Sequence, residues 1–148
     1  MCNFKDMKKT SNDQLAFFLA RITLGINFLI HGAIRIPKLS AFAEGMTQGF
    51  AESPLPTGLV MVFGHVLPFC EAIVGLFIFL GIKTRYALVA GALIIFVLIF
   101  GSAMKEDWGA VGTQMVYALF FFFMIKYLEH DVWGLTTKPA KPVQGFKK

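Results

Sequence analysis

Charge is scarce in this chain. Of its 148 residues only 16% are Asp, Glu, Lys or Arg, against about 25% in ordinary soluble domains, which excludes a water-soluble globule with a charged surface. Cysteine is nearly missing as well. Cys2 and Cys70 form no Cys-x-x-Cys pair, and a site near the N-terminus cannot meet one in the middle of an apolar run without large distortion. Dithiol exchange carried out by this chain alone is thereby excluded. No glycine-rich phosphate loop, zinc-ligand spacing or serine-centred triad occurs, so no metal site is expected and no complete catalytic constellation is legible. Aromatic residues do not alternate with a basic stripe, which removes nucleic acid as a partner despite a net charge of +5.

What the chain does have is hydrocarbon. Hydrophobic residues make up 56% and aromatic residues 15%, and the mean hydropathy is +0.65. Four apolar segments, Leu15 to Ile34, Leu59 to Ile82, Tyr86 to Ala103 and Ala110 to Leu128, are each close to the ~20 residues a helix needs to cross ~30 Å of lipid. Backbone polar groups in lipid must be satisfied within the segment, so runs this long are helices. The expected fold is all-α, an integral membrane antiparallel four-helix bundle: an N-terminal cytoplasmic segment over 1–14, the membrane domain over 15–133 and a flexible basic tail over 134–148. The polar start, followed by a full-length span without a small-residue cleavage site, does not match a removable signal peptide. Asn12 or Asp13 is expected to cap the first helix.

Charge bias orients the bundle. Lys5, Lys8, Lys9, Lys83, Arg85, Lys126 and the tail lysines 138, 141, 147 and 148 fall on one side, while Arg35, Lys38 and Lys105 fall on the other. Both termini should therefore face the cytoplasm, in a multi-pass protein of a bacterial inner membrane with the lipid bilayer as its first partner. Trp108 is placed for the headgroup layer. In the longer outer connection, Leu39, Phe42, Met46 and Phe50 recur at helical spacing opposite Lys38, Glu44 and Gln48, with Pro37 suited to a first helical position. This predicts a short amphipathic helix on the outer surface between the first two spans. The glycines within it leave an irregular loop as the alternative.

The chemistry-bearing residues lie inside the spans. At ~1.5 Å per residue, Arg21 and Glu71 fall ~9 and ~12 Å from the cytoplasmic edge. An isolated charge in lipid costs at least ~2.5–3.5 kcal/mol, so the two are expected to face and neutralise each other. Such a pair could serve function, or could fix helix register alone. Further out, His31, His65 and Gln114 on three helices reach one level, with Tyr117 a turn deeper and Asn27 further round the first helix. His65 lies ~120° from Glu71 on its helix and joins that layer only if Pro68 bends the segment. Hydrogen-bonded interfacial imidazoles are the plain alternative to ligands. One histidine on each of two helices is too little to specify an axial haem pair.

Arg21, Gly25 and His31-Gly32, then "GHVLPFCEAIVGLFIFLGIKTR" with its Pro-x-x-Glu-x-x-x-Gly and Leu-Gly-x-x-Thr-Arg, and "TQMVYALFFFF" resemble the DoxX family of small four-helix membrane proteins, over about Leu15 to Trp133. Gln114 stands where many relatives carry an acidic residue, and His65 and Cys70 are additions. The resemblance implies association with redox complexes: some members are subunits of thiosulfate:quinone oxidoreductase, others membrane partners in oxidative-stress or sulfur-related assemblies. Two functions follow. One is a small subunit of a quinone-linked oxidoreductase, with His31, His65, Gln114, Tyr117 and Asn27 as ligand-binding candidates around the Arg21–Glu71 pair. The other is a non-catalytic scaffold that holds other membrane or redox subunits through apolar faces. A homo-oligomer is compatible with either.

Overall fold

A computed structural model describes residues 11–136. Cys2, the Lys5, Lys8 and Lys9 cluster and the tail lysines lie outside the described residues. Helix α1 spans Asn12–Ala33, α2 Leu39–Gly49, α3 Thr57–Leu80, α4 Thr84–Met104 and α5 Trp108–Lys126. Four of the five are long and apolar enough to cross a membrane. No strand occurs among the described residues. The protein is an all-helical, membrane-type four-helix bundle.

Local chemistry sets the helix ends. Ser11, rather than Asn12 or Asp13, caps α1: its hydroxyl accepts from the Gln14 amide while the Gln14 side chain accepts from the Ser11 amide. The swap arises because a reciprocal capping box satisfies two orphan N–H groups, where Asn12 or Asp13 would satisfy one. Helix α3 ends at Gly81, whose φ of +66° is the left-handed conformation that glycine adopts without strain. Asp107 caps α5, accepting from the Ala110 amide at 3.0 Å, and Lys105 Nζ stands 2.9 Å from the other carboxylate oxygen. These contacts hold the Asp107 carboxyl below its ordinary range, the amide bond being the larger cause.

Helix α1 packs mainly on α3, α4 on α5, and α3 also meets α4. The α1–α3 crossing is close because it is made of small residues. A Cβ on Gly32 would strike the Pro68 carbonyl oxygen, and one on Gly75 would strike the Leu29 backbone. Between lipid-solvated helices, where no hydrophobic drive operates, such backbone approach is a main source of packing energy. A core of Phe17, Leu24, Phe28, Ile78, Leu88 and Phe121 fills the centre, with Phe28 and Phe121 edge to face at 5.3 Å. Of the phenylalanine run only Phe121 is fully buried; Phe122 and Phe123 point outward, as do Leu93, Phe96 and Val116.

The connection between α1 and α3 is helical, so the irregular-loop alternative falls. Pro37 sits in a short 3-10 turn, Ile36–Lys38, that leads into α2. Helix α2 lies on the N-terminal half of α3, with Ala43 wholly buried against Gly64. The other end of the bundle is closed by the chain that follows α5. There Leu135 donates to the Leu80 carbonyl at 3.1 Å, Thr136 to the Gly81 carbonyl at 3.3 Å, and the Thr136 hydroxyl accepts from the Lys83 amide at 2.6 Å. The packed chain thus runs through 136 rather than ending at 133, because the last carbonyls of α3 need partners and this strap supplies them.

Candidate functional site

Arg21 and Glu71 are both buried, 1% and 5% exposed, but they do not pair with each other. Arg21 stands against the end of α3. One guanidinium nitrogen donates to the Ile78 and Phe79 carbonyls at 2.8 and 3.0 Å, the other to the Trp133 carbonyl, and Nε lies 3.3 Å from Asp131 Oδ1. A cation at a helix C-terminus satisfies carbonyls that have no intrahelical partner and meets the negative end of the helix dipole. Glu71 takes Arg35 instead, whose Nη1 donates to Oε2 at 2.6 Å. The expected Arg21–Glu71 pair is thereby corrected.

The physical reason is register. Ile78 is about two turns, ~10 Å, beyond Glu71 along α3 at the usual rise. Depths counted from the ends of apolar runs place Arg21 level with Glu71. The contacts of Gly32 with Pro68 and Ala72, and of Gly75 with Phe28 and Leu29, instead bring Glu71 level with the C-terminal end of α1. Arg35 falls on the same helical stripe as Arg21, Gly25, Phe28 and Gly32 by its spacing in the sequence, and that alignment is the signal that points it at the face that holds Glu71. Asp131 had no signal, because it reaches Arg21 only through the strap after α5.

Around the Arg35–Glu71 pair lies a cavity of about 370 Å³ to which every helix contributes. Asn27 and His31 enter from α1, Met46 from α2, Glu71 from α3, Leu98 from α4, and Gln114 and Tyr117 from α5. Tyr117 donates to Asn27 Oδ1 at 3.1 Å, joining α5 to α1, and Gln114 donates to Ser102 Oγ at 2.9 Å, joining α5 to α4. His31 lies within electrostatic reach of Glu71. Phe42 of α2 roofs the site, with the Arg35 guanidinium 4.7 Å from its ring centroid. Four of the five ligand-binding candidates, Asn27, His31, Gln114 and Tyr117, therefore share one space.

His65 is the fifth and does not join them. Its Nδ1 bonds to the Met61 carbonyl one turn back at 2.9 Å, and it is absent from the lining of the cavity that His31 borders. An imidazole satisfied by its own helix has no need of the interior, and the two histidines do not face one ligand. Cys70 is a free, half-buried thiol on α3. Within the cavity, the pair leaves little net charge, since Arg35 and Glu71 cancel. Hydrogen-bonding groups remain along an otherwise apolar wall, a lining suited to a neutral polar ring more than to an anion.

A model of the DoxX family matches residues 16–104, more than half of the chain. The match ends with α4, so Gln114, Tyr117 and Asp131 lie beyond it. No curated protein and no solved structure matches the chain.

Proposed function

The chain belongs to the DoxX family, and from that premise we propose that it is a small membrane subunit of a quinone-linked oxidoreductase whose cavity takes the head group of the quinone. The observation that carries this is the convergence of Asn27, His31, Arg35, Glu71, Gln114 and Tyr117 on one electrically balanced cavity at membrane depth. Intramembrane ionisable groups mark ligand or proton paths more often than chance. Quinone carbonyls accept hydrogen bonds, and His31 and Arg35 are donors beside the space. Conversion of a quinone to a quinol consumes two electrons and two protons. A redox group on a partner subunit supplies the electrons and water supplies the protons, which His31 relays to the ring while Glu71 stays a carboxylate against Arg35.

For the scaffold alternative, the apolar side of α2 is partly engaged within the bundle, with Phe42 against Arg35 and Phe50 against Gly101 and Lys105. We place the protein in a bacterial inner membrane with both ends cytoplasmic. Lys83, Arg85 and Lys126 lie at the end of the bundle that carries residues 11 and 136, to which the sequence adds lysines 5, 8, 9, 138, 141, 147 and 148, against Arg35, Lys38 and Lys105 at the other end.

The deciding experiment is titration of the purified protein, in lipid nanodiscs, with a quinone analogue. His31→Ala and Glu71→Gln should each weaken binding about tenfold or more, the first by removing a donor to the ring and the second by unbalancing Arg35 beside it. Affinity unchanged in both variants would remove the quinone reading and leave the scaffold.

A further inference from the structure

A second space adjoins the first. It is a cleft of about 430 Å³ between α2 and α3 on one side and α4 on the other, walled largely by hydrocarbon and aromatic rings such as Leu59, Phe63, Val97 and Phe100. Met46, Leu98, Ala110 and Gln114 border both spaces, so cleft and cavity share a wall. The Gln114–Ser102 hydrogen bond stands at that junction. On one side of it lie Asn27, His31, Arg35 and Glu71; the other side is almost entirely apolar. The one cation at the cleft, Lys105, is held by Asp107 at 2.9 Å and rests 5.2 Å from the Phe50 ring centroid, so its charge is occupied.

We infer that the cleft holds the prenyl tail of the ligand whose ring lies in the polar cavity, so that the bundle binds an amphipathic molecule with a neutral head and one branched hydrocarbon chain. This rests on the quinone reading of the cavity. An anionic phospholipid is not matched by the pair of spaces, because Arg35 is already paired with Glu71 and Lys105 with Asp107. In a bilayer the tail moves from hydrocarbon to hydrocarbon and gains nothing from leaving water. Its preference for the cleft comes from packing and from the direction it imposes on the ring.

The test compares two ligands with the same quinone head, one tail-free and one carrying several isoprene units, on the full chain in nanodiscs with binding corrected for partitioning. Gly101→Phe is the blocking variant. A Cβ there would meet only the Phe50 ring at 3.5 Å, an ordinary contact, so the new ring can enter the cleft without moving backbone. The tailed ligand should bind the variant about tenfold more weakly than wild type, and the tail-free ligand equally well. Val97→Phe, from the lipid side of the same cleft, should repeat that split. If both variants bind the tailed ligand as wild type does while tail-free binding persists, or if both ligands weaken together in both variants, the cleft assignment is overturned and the cavity reading stands. If neither ligand binds wild type, both fall.

Discussion

Glu71 and Arg21 illustrate what one residue can and cannot reveal. Each is an ion in a span and each needed an opposite charge, as the cost of solitary ions in lipid demands. Which ion partners which was a separate matter, decided by Asp131 for one and Arg35 for the other. The two pairs should differ in their response to mutation. Asp131→Ala leaves Arg21 with carbonyl partners but no counter-ion at 1% exposure, and a loss of about 3 kcal/mol is expected, at the low end for a broken buried pair. Glu71→Gln should lose less, because the Arg35 side chain is 25% exposed and water can replace the carboxylate. Unfolding of the purified variants in detergent measures both. A larger loss for Glu71→Gln would reverse the assignment of roles, with Arg21 as structural staple and Glu71 as part of the site.

Among the elements, α3 carries the most. Its small residues admit α1, its N-terminal half receives α2, and its last carbonyls receive Arg21 and the strap. Gly75→Ala should therefore cost roughly 1–3 kcal/mol, since the new methyl meets backbone that cannot swing aside. Gly112→Ala on α5 should instead be neutral or stabilising by up to ~1 kcal/mol, because nothing lies within 4 Å of its Cβ position. Melting temperatures of the two variants should move in opposite directions. The helical nature of α2 was legible from its spacing of apolar residues, but not the face it covers. The start of α5 has a pH signature. Asp107 titrates below its ordinary value of 3.8 when folded, so its contribution is full above that value and disappears as pH falls through the lower folded value. Amide exchange at Ala110 should accelerate in that acid window in wild type. In Asp107→Asn, which keeps a capping oxygen without a titrating group, it should stay level.

For the whole molecule, the bundle was readable from hydropathy, whereas the cavity was readable only in part. Asn27, His31, Gln114 and Tyr117 could be nominated because polar residues in apolar runs are conspicuous. His65 was equally conspicuous, yet it bonds to Met61 and lies off the cavity lining, and Arg35 shared the stripe of Arg21 without its pairing to Glu71 being legible. Orientation can be checked with single cysteines in a chain whose own cysteines are replaced. An impermeant maleimide applied to intact cells should label Gln48→Cys and not Glu129→Cys; the opposite pattern would invert the topology.

Hydrophobic length is a sum along the chain, so the sequence by itself determined that four helices are long and apolar enough to cross a membrane. Partner choice between ions depends on how far one helix slides along another. Only the tertiary structure decided that slide, because it is set by backbone contacts at Gly32 and Gly75, where a shift of one turn, about 5 Å, hands each charge to a different neighbour.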